Sequence, residues 1–402
     1  MVKAIIFLAD GMADEPLEEL DGRTPLEAVE TPAMDSIAKN GASGTFLSLP
    51  EGFPTSSDVA NMSVLGYDLP SCYPGRGPLE AVSQGIELGP DDIAFRCNLV
   101  HTADGILADY SSGHLDDRVS GELITALQKE FGSEKLSFHH GVSYRNILVL
   151  HGSEFSDRIL YHKPDSSQGE EVDSILLKPL ETGDAKAGYT ANFLVDLQKR
   201  TSAFLSEHPA VADCANPPNM IWPWSPGRKP ELPLFSDKYS GRKGAVITAV
   251  DVIAGIAKCA GMDVLHVEGA TGFVDTNYAC KALAAIDNID KYDFIYLHVE
   301  AIDECSHMGN LNLKMQAIRD FDSKIVAPVL KELKSSDIRF AVLPDHPVPI
   351  KLQKHTRTPV PLALCGSGIS PDNISVYSEK TALDGALGDL KQDELMNLLF
   401  DW

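Results

Sequence analysis

DFIYLHVEAIDECSH (293–307) decides how this chain folds. Its first half is a short apolar run with the length of a buried strand. It then runs out at Asp303, and Asp303-Glu-Cys-Ser-His307 follows as D-x-x-x-H, which puts both side chains on one face if the segment is helical. Two other runs end the same way. AIIFLAD (4–10) stops at Asp10 before a glycine, and RFAVLPD (339–345) stops at Asp345, followed at once by His346 and nine residues later by His355. Further strand-like runs are GAVIT (244–248), DVLHV (263–267) and VPLALCG (360–366). Helical patterns lie between them: TPAMDSIAKNG (31–41), with a Thr-Pro start and a Gly stop, and the long amphipathic 312–334, where Pro328 predicts a bend. Short buried strands alternating with helices predict an α/β sheet, and ligands of such sheets gather outside the carboxyl ends of the strands.

From about 90 to 175 the pattern changes. DIAFRCNLVHT, GILADYSSG, KLSFHHGVSYRNILVLHG and DRILYHKPD read as strands and turns with one helix near 119–131. The expected organisation is a flanked central sheet formed by 1–87 and 178–402, with a smaller α+β domain, 88–177, inserted into it.

Composition limits the function. The 402 residues carry 34 Lys and Arg against 58 Asp and Glu, a net charge of −24, which repels nucleic-acid backbones and anionic lipid. Neither a nucleic-acid nor a membrane partner is expected. The longest apolar stretch, 245–261, is broken by Asp251 and Lys258 and is too short for a membrane span. Seven scattered cysteines without a C-x-x-C pair argue against a disulfide framework or a thiolate zinc site, and a reducing cytoplasm fits best.

Asp10, Asp303, His307, Asp345, His346 and His355 form an oxygen-and-imidazole set suited to Mn, Zn or Mg, and six ligands exceed the needs of one tetrahedral ion. A two-metal centre is therefore expected. A reacting group is offered by PTSSDVANMSVLGYD (54–68), where Thr55, Ser56 and Ser57 precede Asp58 and an apparent helix. A hydroxyl there caps the helix, or, touching a metal, ionises and takes a phosphoryl group.

LADGMAD (8–14), SSDVANMSVLGYD (56–68), GRGPLEA (75–81), FRCNLV (95–100), GATGFVDTNY (269–278), HVEAIDECSH (298–307) and LPDHPVPIKLQKHT (343–356) resemble the cofactor-independent phosphoglycerate mutases of archaeal type, in the alkaline phosphatase superfamily. The resemblance spans nearly the whole chain. It implies an alkaline-phosphatase-like central sheet and two divalent ions, one on Asp303, His307 and His355, the other on Asp10, Ser57, Asp345 and His346. It also implies Ser57 as the phosphorylated nucleophile, with Ser56 as the fallback. The insert resembles the family's substrate-binding domain, and Arg96, His114, Arg118 and Arg145 are its best matches for gripping phosphate and carboxylate. The implied reaction interconverts 3- and 2-phosphoglycerate through phosphoserine, on a small phosphorylated substrate and with no bisphosphoglycerate. LPDHPVPI departs from the usual D-H-A-T-P, and KHTRTPVP (354–361) replaces a Ser-Gly-Asp-rich stretch. These departures resemble a bacterial subgroup with proposed homoserine kinases, so a kinase and a metal-dependent phosphatase stand as alternatives on the same fold.

Overall fold

Lys3–Ala9 is a run of seven residues without a turn former, and six of the seven are buried. It lies near the middle of an eight-stranded sheet, between Phe294–Val299 and Ile338–Leu343, parallel to both. This structure, a computed structural model, describes residues 2–333 and 337–400. From one edge the sheet order is Asp263–Val264, Gly244–Ile247, Phe294–Val299, Lys3–Ala9, Ile338–Leu343, Val360–Gly366, Gly41–Leu47 and Gly388–Lys391. Only Val360–Gly366 runs against the rest. A mostly parallel sheet must be covered on both faces. On one face Ile5, Phe7, Ile295 and Leu297 pack against Met34, Ile37, Ala282, Ala285 and Phe321 from helices. On the other, Phe294 stacks on Phe235 with ring centroids 5.1 Å apart and meets Phe400 at 5.8 Å.

The expected strand 263–267 shrinks to Asp263–Val264, while Gly41–Leu47 and Gly388–Lys391 are strands that the pattern reading left out. Helix Pro32–Lys39 matches its prediction, but Thr31 makes no side-chain cap. Asp322 does that work instead, accepting the Met34 N–H at 2.8 Å and the Ala33 N–H at 3.3 Å. The long helix is interrupted ahead of the proline. Leu311–Phe321 passes into a π-helical stretch, Asp322–Val326, and then into Ala327–Leu333. The Ala327 N–H bonds the Asp322 carbonyl five residues back, which widens the helix where Pro328 has no N–H to offer. The predicted last residue, Lys334, lies outside the described residues.

The chain divides into two compact units, one of 1–73 with 232–402, the other of 74–231. The second is wider than the expected 88–177, for two reasons. Met220–Arg228 pairs antiparallel with Ile93–Ala103 over most of its length. Helix Ala185–Ser206 buries Ala187, Ala191, Leu194 and Leu197 in the cluster that holds Phe95 and Leu148. Its antiparallel sheet is completed by Ile106–Asp109, Arg145–Leu150 and Leu136–Val142, and helix Asp117–Phe131 covers the same core. Among the described residues no helix is long and apolar enough to cross a membrane.

Candidate metal centre

Because Ala9 pairs with Val299 and Leu8 with Leu343, Asp10, Asp303 and Asp345 all emerge past the same ends of three adjacent parallel strands. Gly11 lets them close up. Its φ is +66°, and a Cβ there would lie 2.7 Å from Asp303 Cα, so only glycine fits. Its N–H donates to Asp345 Oδ1 at 3.2 Å. Helix Ala301–His307 then carries Asp303 and His307, as the spacing predicted, and the segment after Leu343 carries Asp345, His346 and His355.

All six predicted side chains converge. His307 Nε2 is 2.9 Å from His355 Nε2 and 3.4 Å from Asp303 Oδ2. His355 Nε2 is 3.5 Å from Asp303 Oδ1. His346 stands between the two halves, with its ring stacked on His355 at 3.7 Å and its Nε2 3.4 Å from both Asp10 Oδ1 and Asp345 Oδ2. Several of these separations are long for hydrogen bonds. They match the edge of a coordination shell: two atoms each ~2.0–2.1 Å from one tetrahedral ion stand about 3.3 Å apart.

Electrostatics agree. Burial, and then the charges of Asp345, Asp303 and Glu300, hold the Asp10 carboxyl well above the ordinary carboxylate range. Burial also raises Asp345, against the pull of His346. Asp303 goes the other way, because the His307, His355 and His346 rings overcome its burial and hold it low. Neighbouring buried carboxylates cannot all be ionised without a cation between them. Asp10 Oδ1 and Asp303 Oδ1 are buried and without a hydrogen bond, which leaves ligand atoms free. The donor set therefore fits divalent ions. Among the described residues, triples close enough to share an ion are Asp303, His346 and His355; Asp10, His298 and Asp345; and Glu300, Asp303 and Glu304.

Ser57 opens helix Ser57–Val64, and its Oγ lies 3.2 Å from His346 Nε2. Ser56 occupies the N-cap with its Oγ buried, making no capping or other hydrogen bond. Of the hydroxyls considered, Ser57 is the one brought to the cluster.

His298 and Asn61 escaped the sequence reading. His298 Nε2 lies 3.0 Å from Asp10 Oδ2, and Asn61 Nδ2 donates to Asp345 Oδ2 at 2.8 Å. Burial, and then the nearby Lys281 charge, push His298 down to about 3, so it is neutral. Its sequence signal was a polar residue inside an apolar strand, two positions from Tyr296 on the same face.

The cations matched to the family's substrate grip sit in the unit 74–231. Arg96 is buried on Glu80, which also takes Arg76 Nε at 2.7 Å, and its guanidinium lies 5.0 Å from the centre of the Trp224 ring. Arg145 is exposed over the Tyr144 ring at 5.3 Å, and the His114 ring meets the same tyrosine at 6.2 Å. Arg118 is exposed on its helix, 3.8 Å from Glu122. Tyr144 thus links His114 with Arg145, whereas Arg118 joins no such contact.

The chain is 43% identical to the 2,3-bisphosphoglycerate-independent phosphoglycerate mutase of Methanosarcina acetivorans, over 99% of both chains. It belongs to that family. The family model described as 2,3-bisphosphoglycerate-independent phosphoglycerate mutase matches residues 38–210. Two solved structures share the fold at 27% identity. The PH0037 protein of Pyrococcus horikoshii superposes with a TM-score of 0.83, covering 100% of this chain and 97% of that one. A cofactor-independent phosphoglycerate mutase from Thermoplasma acidophilum superposes with 0.67, covering 100% and 99%. Membership of the phosphoglycerate mutases makes this an enzyme of the isomerase class, an intramolecular phosphotransferase.

Proposed function

We propose that the protein interconverts 3- and 2-phosphoglycerate without bisphosphoglycerate, through a phosphoserine on Ser57. The observation that carries this reading is the position of Ser57 Oγ, at a helix N-terminus and 3.2 Å from His346 Nε2 beside buried aspartates. Asp10, Ser57, Asp345 and His346 would hold one divalent ion, and Asp303, His307 and His355 the other. Such ions neutralise phosphoryl oxygens and acidify a bound hydroxyl.

The chain's own steps are two displacements. Ser57 Oγ attacks phosphorus as the bond from phosphorus to the substrate's 3-oxygen breaks, and the serine proton ends on that leaving oxygen. Glycerate then turns, its 2-oxygen attacks phosphorus, the Oγ–P bond breaks, and the 2-hydroxyl proton returns to Ser57. Atoms and charge balance with no co-substrate. The unit 74–231 would hold glycerate through Arg145, His114 and Arg118, while Arg96 organises the surface from its buried place on Glu80. Water has to be excluded while phosphoserine stands, or the outcome is hydrolysis.

Phosphorus NMR of metal-loaded protein with 3-phosphoglycerate tests this. A 2-phosphoglycerate resonance without free phosphate is expected. Free phosphate alone overturns the reading in favour of a phosphatase. Phosphohomoserine and ADP in a parallel tube of ATP and homoserine, with no mutase product in the first, overturns it in favour of a kinase.

A further inference from the structure

The two oxygens of Asp10 have different surroundings. Oδ2 faces His298 Nε2 at 3.0 Å, whereas Oδ1 is buried with no hydrogen bond. His298 is fully buried, and its other ring nitrogen, Nδ1, lies 3.2 Å from Thr248 Oγ1. That hydroxyl already accepts the Val250 N–H at 3.0 Å, which leaves it one proton to give and one lone pair, so the donor that Asp10 Oδ2 requires on Nε2 decides the direction of the Thr248–Nδ1 bond.

We propose that His298 is the positioning residue of Asp10 and not an ion ligand. Thr248 donates to Nδ1, which fixes the tautomer with hydrogen on Nε2, and Nε2–H donates to Asp10 Oδ2. This aims Oδ1 at the ion. Asp345 is served in the same manner: the Tyr296 hydroxyl donates to Asn61 Oδ1, and Asn61 Nδ2 donates to Asp345 Oδ2. Both relays run from a hydroxyl, through a neutral side chain, to a carboxylate. One strand face serves both, because Tyr296, the start of one relay, and His298, the middle of the other, are two residues apart in Phe294–Val299. Lys281 Nζ donates to the His298 carbonyl at 3.1 Å and anchors that strand end from below. The opposite arrangement, with His298 ligating through Nε2, needs Nδ1–H to donate to Thr248 and leaves Asp10 Oδ2 without its donor.

The inference rests on the reading of Asp10 as an ion ligand. Manganese titration of metal-free wild-type, His298→Ala, His298→Gln and Thr248→Val proteins, read by calorimetry and bound-metal analysis, tests it. Loss of a hydrogen-bond partner behind a ligand costs 10–100-fold in affinity. His298→Ala is expected to weaken one of two ion equivalents by about that factor, and His298→Gln, which keeps an N–H near the Nε2 position, to recover most of it. Thr248→Val is expected to weaken the same ion by up to about tenfold while leaving the imidazole in place. In nitrogen-15 histidine spectra of metal-free and zinc-loaded protein, His298 is expected to keep its Nε2 proton on loading. Equal loss in the alanine and glutamine variants, or a metal-bound His298 Nε2 with hydrogen on Nδ1, overturns the inference while the centre itself stands. Wild-type protein that takes up no ion overturns the centre and the inference together.

Discussion

His307 Nε2 and His355 Nε2 lie 2.9 Å apart, closer than two imidazole lone pairs tolerate. In metal-free protein one of the two nitrogens must hold a proton. Burial alone would lower the His307 ring, but the Asp303 carboxylate beside it raises the imidazole to about 9, which favours His307 as the holder of that proton. Metal loading must expel that proton. Apparent affinity is therefore expected to rise with pH, by up to about tenfold per unit, and to level off above 9. Calorimetry in buffers of different ionisation heat should register the release of at least one proton. His307→Ala or His355→Ala should lose one equivalent of bound metal, and an unchanged metal content would remove both from the ligand set.

The nucleophile assignment separates two adjacent serines. Ser57→Ala is expected to lower turnover by at least ~10⁴-fold while the protein stays folded. Ser56→Ala should keep activity. It should also cost less than the ~1 kcal/mol of an ordinary capping serine, because Ser56 makes no side-chain cap. Mass spectrometry of acid-quenched enzyme should find phosphate on residue 57, and phosphate on residue 56 would reverse the assignment.

Much of this cluster was legible before folding, because each of the three segments that carry Asp10, Asp303 and Asp345 follows a short apolar run suited to a buried strand. Asp10, Asp303 and Asp345 needed no long-range knowledge. His298 did, since its partners Asp10 and Thr248 lie just past the ends of the two strands that flank its own. Gly41–Leu47 was missed because GASGTFL is made mostly of small residues without the β-branched signature of a strand. The width of the second unit was missed because helix Ala185–Ser206 looks like any other helix until its leucines meet Phe95 and Leu148. Arg96 carries a different lesson. Its partner Glu80 is sixteen residues away, so a cation matched to a substrate grip turns out to be paired inside the unit.

Arg357, two residues past His355, reaches back to the loop that leads to Ser57. Its Nη1 donates to the Pro50 carbonyl at 2.6 Å and to that of Leu49 at 3.4 Å, and its Nη2 donates to that of Phe53. The guanidinium thus ties the loop that leads to Ser57 to the segment that carries Asp345, His346 and His355. Arg357→Met is expected to speed amide exchange over 49–57 and to lower kcat by 10–100-fold with the metal content unchanged. Arg357→Lys should recover only part, since an ammonium cannot span the same three carbonyls. Unaltered exchange over 49–57 would deny Arg357 this role.

Glu379 sits in a network that reaches Ile350, four residues past His346. It accepts the Asp14 N–H at 3.1 Å and the Thr24 hydroxyl at 2.7 Å. Asp14 in turn pairs with the buried Lys314 at 2.7 Å and accepts the Ile350 N–H. Burial raises the Glu379 carboxyl from its ordinary 4.5 to about 7. A raised carboxyl binds its proton more tightly in the folded state than in the unfolded one. Its contribution to stability is therefore complete below about pH 4.5 and lost as the pH rises towards 7. The difference in unfolding free energy between wild type and Glu379→Gln should fall by up to about 3 kcal/mol over that interval and stay flat above it. Denaturant unfolding of the two proteins at half-unit steps measures the difference directly. A difference that does not change between pH 4.5 and 7 would mean that Glu379 titrates as an ordinary carboxylate and stands ionised at neutral pH as a second counter-charge, beside Asp14, for Lys314.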